Sequence, residues 1–113
     1  MQLAIAQLNQ VLGDLPANAR RILDAAAQAR AAGATLIVTP ELSLCGYPPE
    51  DLILRPAFVA ACANELAALA TQVTAGVLLV GFPELHEGKR HSAVFRYKPL
   101  NPNDFYASPV FVM

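Results

Sequence analysis

Apolar positions along this chain switch between the spacing of strands and the spacing of helices. Residues 3–8 form the first strand-like run, and the polar Gln10 marks its end. Residues 35–39 form the second strand-like run. A continuous apolar run at residues 77–82 has the length and composition of a strand covered on both faces. Residues 92–97 are the fourth candidate strand. These patterns predict four strands.

Two helices are predicted between the strands. The first begins at Asp14-Leu15-Pro16, where Asp14 or a neighbour caps the helix, and Gly33 ends it. Pro56 opens the second helix and Gly76 breaks it. The positions at helical spacing are Ala19, Ile22, Leu23, Ala26 and Arg30 in the first helix, and Phe58, Val59, Cys62, Leu66, Leu69, Ala70 and Val73 in the second.

The resulting order, β-α-β-α-β-β, predicts an α/β fold with right-handed crossovers in its parallel part. Pro83 is expected to end the third strand, and residues 84–90 are interpreted as a polar loop. Residues 98–113 carry prolines among Asn and Asp side chains. We expect this last stretch to be irregular and a poor continuation of the sheet.

Composition argues against several classes of protein. Hydrophobic residues make up 55% of the 113 residues and charged residues 15%, which is more apolar sequence than a two-layer domain covers easily. The net charge of −1 and the scattered basic residues argue against a nucleic-acid surface. No apolar run reaches the roughly 18 residues of a membrane span, and no signal peptide is apparent. Cys45 and Cys62 are too few for a disulfide framework, so a cytoplasmic location is expected.

A carboxylate follows the second predicted strand directly. The string Thr39-Pro40-Glu41 places Glu41 where that strand meets its loop. Parallel sheets assemble their sites outside the carboxyl ends of the strands. Spacing alone leaves two interpretations open, a general base or a capping or surface charge, and the second is the commoner.

Other polar clusters favour ordinary structural roles. Glu50 and Asp51 could be a paired acid site, but no histidine is placed to complete a metal shell, so a polar turn is favoured. His86 and His91 have a spacing that does not suit two ligands on one helix, and a solvated loop is expected there. No metal site is predicted.

Several strings of the chain resemble the nitrilase, or carbon–nitrogen hydrolase, superfamily. The string Gly46-Tyr47-Pro48-Pro49-Glu50-Asp51-Leu52, preceded by Cys45, is the most specific and resembles the N-terminal glutaminase domain of glutamine-dependent NAD synthetases. The more general matches are Leu3-Ala4-Ile5-Ala6-Gln7-Leu8-Asn9, Gly13-Asp14-Leu15 with Asn18, Thr39-Pro40-Glu41-Leu42 and Val80-Gly81-Phe82-Pro83.

The resemblance implies a partial α-β-β-α sandwich. It covers residues 1–97, which is less than half of a nitrilase domain, and residues 98–113 form a tail that does not match the family. We therefore expect a truncated carbon–nitrogen hydrolase domain, incomplete at its C-terminal side.

The resemblance also implies roles for individual residues. The family uses a Glu-Lys-Cys triad, in which Glu accepts the thiol proton of the attacking Cys and Lys supports the oxyanion. Glu41 corresponds to the general base. Lys98, in a string that matches the family's lysine string only loosely, is the candidate for the lysine. Tyr47 either helps to wall the substrate pocket or is a packed aromatic.

The nucleophilic cysteine of the family lies beyond the end of this sequence. Cys45 and Cys62 are expected to be small buried hydrophobes that do not replace it. The chain alone is therefore expected to have no measurable amidase activity.

The resemblance implies an ammonia-supplying glutamine amidohydrolase as the intact relative. ATP and Mg²⁺ are implied only for a synthetase domain that amidates deamido-NAD, and nothing after Phe82 resembles it, so no cofactor is expected in this chain. Two alternatives stay open. One is a non-catalytic fragment or structural module that depends on assembly, for example as a homo-oligomer. The other is a small nucleotide-binding α/β domain, although no G-x-G-x-x-G string is present.

Overall fold

Five strands and two α-helices make up the part of the chain that this computed structural model describes, residues 2–73, 75–86, 89–97 and 105–108. A short 3₁₀ helix precedes the second α-helix. In chain order the elements are β1 (Leu3–Ile5), α1 (Leu15–Ala31), β2 (Leu36–Val38), the 3₁₀ helix (Glu50–Leu54), α2 (Pro56–Ala70), β3 (Val77–His86), β4 (Lys89–Tyr97) and β5 (Phe105–Ser108).

The strands form one mixed sheet in the sequential order β1-β2-β3-β4-β5. The first three strands are parallel, with Ala4, Ile37 and Leu78 in register. The pairs β3–β4 and β4–β5 are antiparallel. The predicted order β-α-β-α-β-β is confirmed up to β4, and β5 is an additional strand. Because β1, β2 and β3 run in one direction, their carboxyl ends lie at the same edge of the sheet, where the following loops meet.

The ends of the helices follow local signals in the sequence. The Asp14 carboxylate accepts a hydrogen bond from the Ala17 amide at 3.4 Å, and Pro16 lies in the first turn of α1. Gly33, with a φ of 98°, takes the left-handed conformation that ends the helix. Pro56 is the first residue of α2. Its missing amide hydrogen costs nothing there, because the first amides of a helix have no partner within the helix.

The core lies between one face of the sheet and the two helices, which pack against each other. The predicted helical stripes supply about half of it, and burial of each large apolar side chain contributes about 1.5–3 kcal/mol. Its fully buried members include Ile22 and Ala26 of α1, Cys62 and Leu69 of α2, Ile37 of β2, and Leu78 and Val80 of β3.

The opposite face of the sheet is open at β1. Side chains alternate between the two faces along a strand, and Ala4 shares the helix-covered face with the buried Ile37. Leu3 and Ile5 therefore lie on the other face, where they are 57% and 71% exposed. Within the described part of the chain, β1 thus combines an unpaired edge with an exposed apolar face.

The prediction of a polar loop at residues 84–90 is wrong for residues 84–86 and 89–90, and residues 87 and 88 lie outside the described residues. β3 continues through Pro83 to His86, and β4 begins at Lys89. β2 ends at Val38, opposite Leu79. Beyond that point β4 is the strand neighbour of β3 among the described residues, so Pro83 lies where one side of the strand needs no ladder bond. His86 and His91 accordingly belong to strands rather than to a loop.

The prediction that residues 98–113 are irregular is wrong for Phe105–Ser108, which form β5, and the rest of that stretch lies outside the described residues. Phe95 of β4 is in register with Ala107 of β5. The strand is only four residues long and follows prolines and asparagines, so its pattern is too short to be distinguished from a loop in the sequence. The domain boundary between residues 97 and 98 stays a prediction.

Within the described residues, no helix has the length and hydropathy that a membrane crossing requires.

Candidate functional site

The loop that follows β2 forms an arch, residues 40–46, that carries Glu41 at an exposed position. The Ser43 amide donates to the Pro40 carbonyl at 3.1 Å, and the Gly46 amide donates to the Leu42 carbonyl at 2.8 Å. Leu42 has a φ of 52°, a conformation that costs a leucine energy and persists only where the surroundings enforce it. The backbone on either side of Glu41 is therefore held in one conformation.

β3 supports the arch on both sides of Glu41. The amide and the hydroxyl of Thr39 both donate to the Leu79 carbonyl, at 3.1 and 2.8 Å. The Leu44 amide donates to the Gly81 carbonyl at 3.1 Å. A β-carbon at position 81 would lie 2.5 Å from the Leu42 nitrogen, so only glycine lets the arch lie this close to the strand.

Helix α1 holds the C-terminal side of the arch through Asn18, which is 0% exposed. Its Nδ2 donates to the carbonyls of Leu44 and Val11, at 3.0 and 2.7 Å. Its Oδ1 accepts from the Val11 amide at 2.9 Å and from Nη1 of Arg21 at 3.1 Å. These contacts use both donors and both lone pairs of the side-chain amide.

The loop after β1 packs directly on the arch. Nε2 of Gln10 donates to the carbonyls of Ser43 and Asn18, at 2.8 and 3.1 Å. The Gly13 amide donates to the Cys45 carbonyl at 2.8 Å. Gly46 has a φ of 89°, and a β-carbon there would lie 2.9 Å from the Leu12 Cα atom. The loops that follow β1 and β2 thus form one hydrogen-bonded unit around Glu41.

The hydroxyl of Ser43 in the arch pairs with the hydroxyl of Thr39, the residue just before the arch. Their Oγ and Oγ1 atoms are 2.7 Å apart, and Ser43 is buried. Sequence reasoning did not single out this pair, nor the contacts of Gln10 and Asn18 with the arch. The position of Asn18 within a family-like string is the one signal that pointed to part of this network.

Both cysteines are buried, as expected. Burial raises the pKa of the Cys45 thiol to about 11, although a backbone hydrogen bond counters part of the effect. Burial raises the pKa of the Cys62 thiol to about 12, and the Cys45 thiol adds a smaller effect in the same direction. The thiolate is the nucleophilic form of cysteine, so neither side chain is poised to attack a substrate at neutral pH.

The remaining candidates lie in different surroundings. Tyr47 directly follows the arch and is 68% exposed, which excludes packing as a core aromatic within the described residues. Glu50 and Asp51 begin the 3₁₀ helix and are exposed, in agreement with a polar turn. Lys98 lies outside the described residues.

The described residues do not fit a magnesium site. Nowhere in these ranges do three or more His, Cys, Asp or Glu side chains gather into a group that could hold a metal ion.

Residues 2–95 match the family model described as carbon–nitrogen hydrolase. The chain is 50% identical over 80 residues to the glutamine-dependent NAD(+) synthetase of Synechocystis sp., covering 70% of this chain and 14% of the relative. It is 42% identical over 93 residues to the synthetase of Rhodobacter capsulatus, covering 81% of this chain and 17% of the relative. The chain therefore spans less than a fifth of the length of these relatives.

Solved structures of similar fold agree with this match. The glutamine-dependent NAD(+) synthetase from Cytophaga hutchinsonii superposes with a TM-score of 0.81 at 27% identity, covering 86% of this chain and 17% of that one. The Acinetobacter baumannii synthetase gives a TM-score of 0.80 at 31% identity, covering 93% and 20%. An amidase from Nesterenkonia sp. gives 0.67 at 26% identity, covering 86% and 38%. The predicted partial nitrilase-type fold is confirmed.

Proposed function

The chain belongs to the carbon–nitrogen hydrolase family, and on this premise we propose that it carries the general base of a glutamine amidohydrolase site. The observation that carries the proposal is the exposed Glu41 on an arch whose backbone is held from both sides. The similarity to glutamine-dependent NAD(+) synthetases supports glutamine as the amide and an ammonia-supplying role for the product.

The proposed chemistry assigns one step to this chain. The Glu41 carboxylate accepts the thiol proton of a cysteine supplied from outside these 113 residues while the sulfur attacks the amide carbon of glutamine. The carbon–nitrogen bond then breaks, the nitrogen leaves as ammonia after receiving a proton, and a thioester is left. Water cleaves the thioester to glutamate and restores the thiol. In a glutamate-to-glutamine mutant of the amidase from Nesterenkonia sp. AN1, acrylamide adds to the active-site cysteine, which supports cysteine chemistry on this fold.

Two further residues take roles in this proposal. Lys98 is the candidate lysine that supports the oxyanion of the tetrahedral intermediate. Tyr47, exposed beside the arch, helps to wall the glutamine pocket. ATP and Mg²⁺ are assigned to a synthetase domain outside this chain. The free thiols of Cys45 and Cys62 favour a reducing compartment, the cytoplasm.

The decisive experiment grafts residues 2–95 of this chain onto the Synechocystis sp. synthetase in place of its matching segment. Ammonia release from glutamine is then measured. We expect the graft to turn over glutamine, and Glu41→Gln to lower kcat by about 100-fold or more, the scale of general-base catalysis. The matched control is Glu50→Gln, which also neutralises an exposed carboxylate and leaves kcat within about twofold.

Two results would contradict the proposal. One is a Glu41→Gln graft that releases ammonia as fast as its parent graft. The other is a folded graft that is inactive although Glu41 is in place.

The 113-residue chain by itself should release no ammonia from glutamine above the blank. Its two cysteines are buried with raised pKa values, so no thiolate is available to attack. Ammonia release that disappears on Glu41→Gln substitution would show a complete site within these residues and contradict the need for an external cysteine.

One observation favours a second candidate function, that of a structural module that depends on assembly with other chains. Leu3 and Ile5 leave an apolar face of the sheet exposed beside β1, whose outer edge has no strand partner among the described residues. Such edges and faces associate with other chains unless they are covered. This role is compatible with the amidohydrolase proposal, since a covered face also completes a sandwich.

A further inference from the structure

We propose that Asn18 is a positioning residue that sets the place of Glu41, a role that rests on the proposed function of Glu41 as a general base. Asn18 has no place in the proposed chemistry and does not belong to the string around Glu41. It lies in the second turn of α1, and 26 positions separate it from Leu44, which it contacts in the arch.

Asn18 joins three segments of the chain. Its side chain contacts the loop after β1 at Val11, the arch at Leu44 and its own helix at Arg21. A buried side-chain amide is tolerated only when its polar atoms are hydrogen-bonded, and here all of them are. A side chain needed only to fill the core would be apolar, because an apolar residue avoids this requirement.

The two sides of the arch are supported differently. β3 holds the N-terminal side through the bonds from Thr39 to Leu79, independently of Asn18. The C-terminal side is held by the bonds from Asn18 to Leu44 and from Gly13 to Cys45, together with the bonds from the Leu44 amide to Gly81 and from Gln10 to Ser43.

The bond from Gly13 to Cys45 also depends in part on Asn18. Two contacts between Asn18 and Val11 help to hold the loop that presents the Gly13 amide, beside the backbone bond from Asp14 to Val11 and the bond from Gln10 to the Asn18 carbonyl. Removal of the Asn18 side chain therefore loosens the C-terminal side of the arch and leaves the N-terminal side in place. The expected consequence is a displaced Glu41 within an otherwise intact fold.

The test on the whole 113-residue chain is amide hydrogen exchange followed by NMR, which reports local opening separately from global unfolding. In Asn18→Ala we expect exchange at the amides of Gly13, Leu44 and Gly46 to rise roughly tenfold or more, since two buried carbonyls lose their donor. We expect amides within α2 to change by less than about twofold. The ¹H–¹⁵N resonance of Glu41 should shift, whereas that of Glu65 in α2 should not.

If Asn18→Ala does not fold, two further variants test the role of Asn18. Asn18→Asp retains the acceptors for the Val11 amide and Arg21 near the N-terminal end of α1, where negative charge is favourable. It loses both donated bonds, so the same local pattern is expected. Arg21→Ala is the matched control, because it removes one contact of Asn18 and leaves the arch bonds intact.

The role is overturned if exchange in the arch is unchanged, or if it rises by the same factor in the arch and in α2. In the grafted synthetase, Asn18→Ala should lower kcat by about tenfold or more with less than a twofold change in KM. An unchanged kcat for Asn18→Ala, together with loss of activity in Glu41→Gln, would refute only the role of Asn18. Full activity in Glu41→Gln would refute the proposed function instead.

Discussion

Gly81 lies under the arch, where a β-carbon would approach the Leu42 nitrogen to 2.5 Å and the Pro40 carbonyl oxygen to 3.0 Å. Both atoms belong to the backbone and cannot rotate away as a side chain would. We expect Gly81→Ala to lower the free energy of unfolding by about 1–3 kcal/mol, the cost of overpacking a close contact. Urea denaturation followed by circular dichroism measures this change.

The control for Gly81→Ala is Ala67→Ser, at an exposed position of α2. It should change the free energy of unfolding by no more than about 0.5 kcal/mol. Equal stability of Gly81→Ala and the parent chain would mean that the arch does not lie against β3 as described.

The two buried thiols make stability depend on pH. Folding raises the pKa of Cys45 from 9.0 to about 11 and that of Cys62 from 9.0 to about 12, chiefly because burial disfavours the thiolate. The folded chain therefore holds more thiol protons than the unfolded chain at alkaline pH. Stability is fully present below pH 9.0 and falls as the pH rises toward 11, by at most about 1.4 kcal/mol per pH unit for each thiol.

Urea denaturation under reducing conditions between pH 8 and pH 10.5 checks this dependence. The double variant Cys45→Ala, Cys62→Ala is the comparison, and its free energy of unfolding should fall less steeply with pH. Parallel curves for the two proteins would mean that the thiols are not protected from ionisation in the folded state.

At the scale of elements, α1 begins at a side-chain cap. The Asp14 carboxylate accepts the Ala17 amide, and the same helix carries Asn18 to the arch. We expect Asp14→Ala to destabilise the chain by about 1 kcal/mol, the usual cost of losing an N-cap. Thermal unfolding measures it, with Asp24→Ala at an exposed position of the same helix as the matched removal of a carboxylate. An equal effect of both changes would assign the loss to charge rather than to capping.

The helices and strands could be predicted where the residues at their ends carry the signal. Asp14, Pro16 and Gly33 mark the ends of α1 as predicted, because caps and breakers act on adjacent backbone groups. The prediction that Pro83 ends β3 is wrong, because a proline fits within this strand where β2 no longer pairs with it. The residues next to Pro83 do not show where β2 ends. β5 is too short to carry a periodic signal of its own.

At the scale of the whole molecule, the open face at β1 should govern association. Leu3 and Ile5 expose apolar surface next to an unpaired strand edge. We expect the chain to self-associate at micromolar concentrations, and Ile5→Lys to reduce this association because it places a charge on the face. Sedimentation velocity over a dilution series measures the change. The control is Leu54→Lys, which introduces the same charge at a similarly exposed apolar side chain that lies in the 3₁₀ helix and not in the sheet.

A parent chain that stays monomeric across the dilution series would contradict this prediction. So would an equal effect of Ile5→Lys and Leu54→Lys, because the association would then not depend on the sheet face.

The order of the elements up to β4, the helix-facing core and the position of Glu41 after β2 follow from the sequence alone, because period, caps and strand ends are properties of neighbouring residues. The strings that surround Glu41 also indicate the family. How Glu41 is held is visible only in the folded chain. The contacts of Asn18 with Leu44, of Gly13 with Cys45 and of Gly81 with the arch join segments far apart in the chain, and such contacts exist only once the strands and helices have packed.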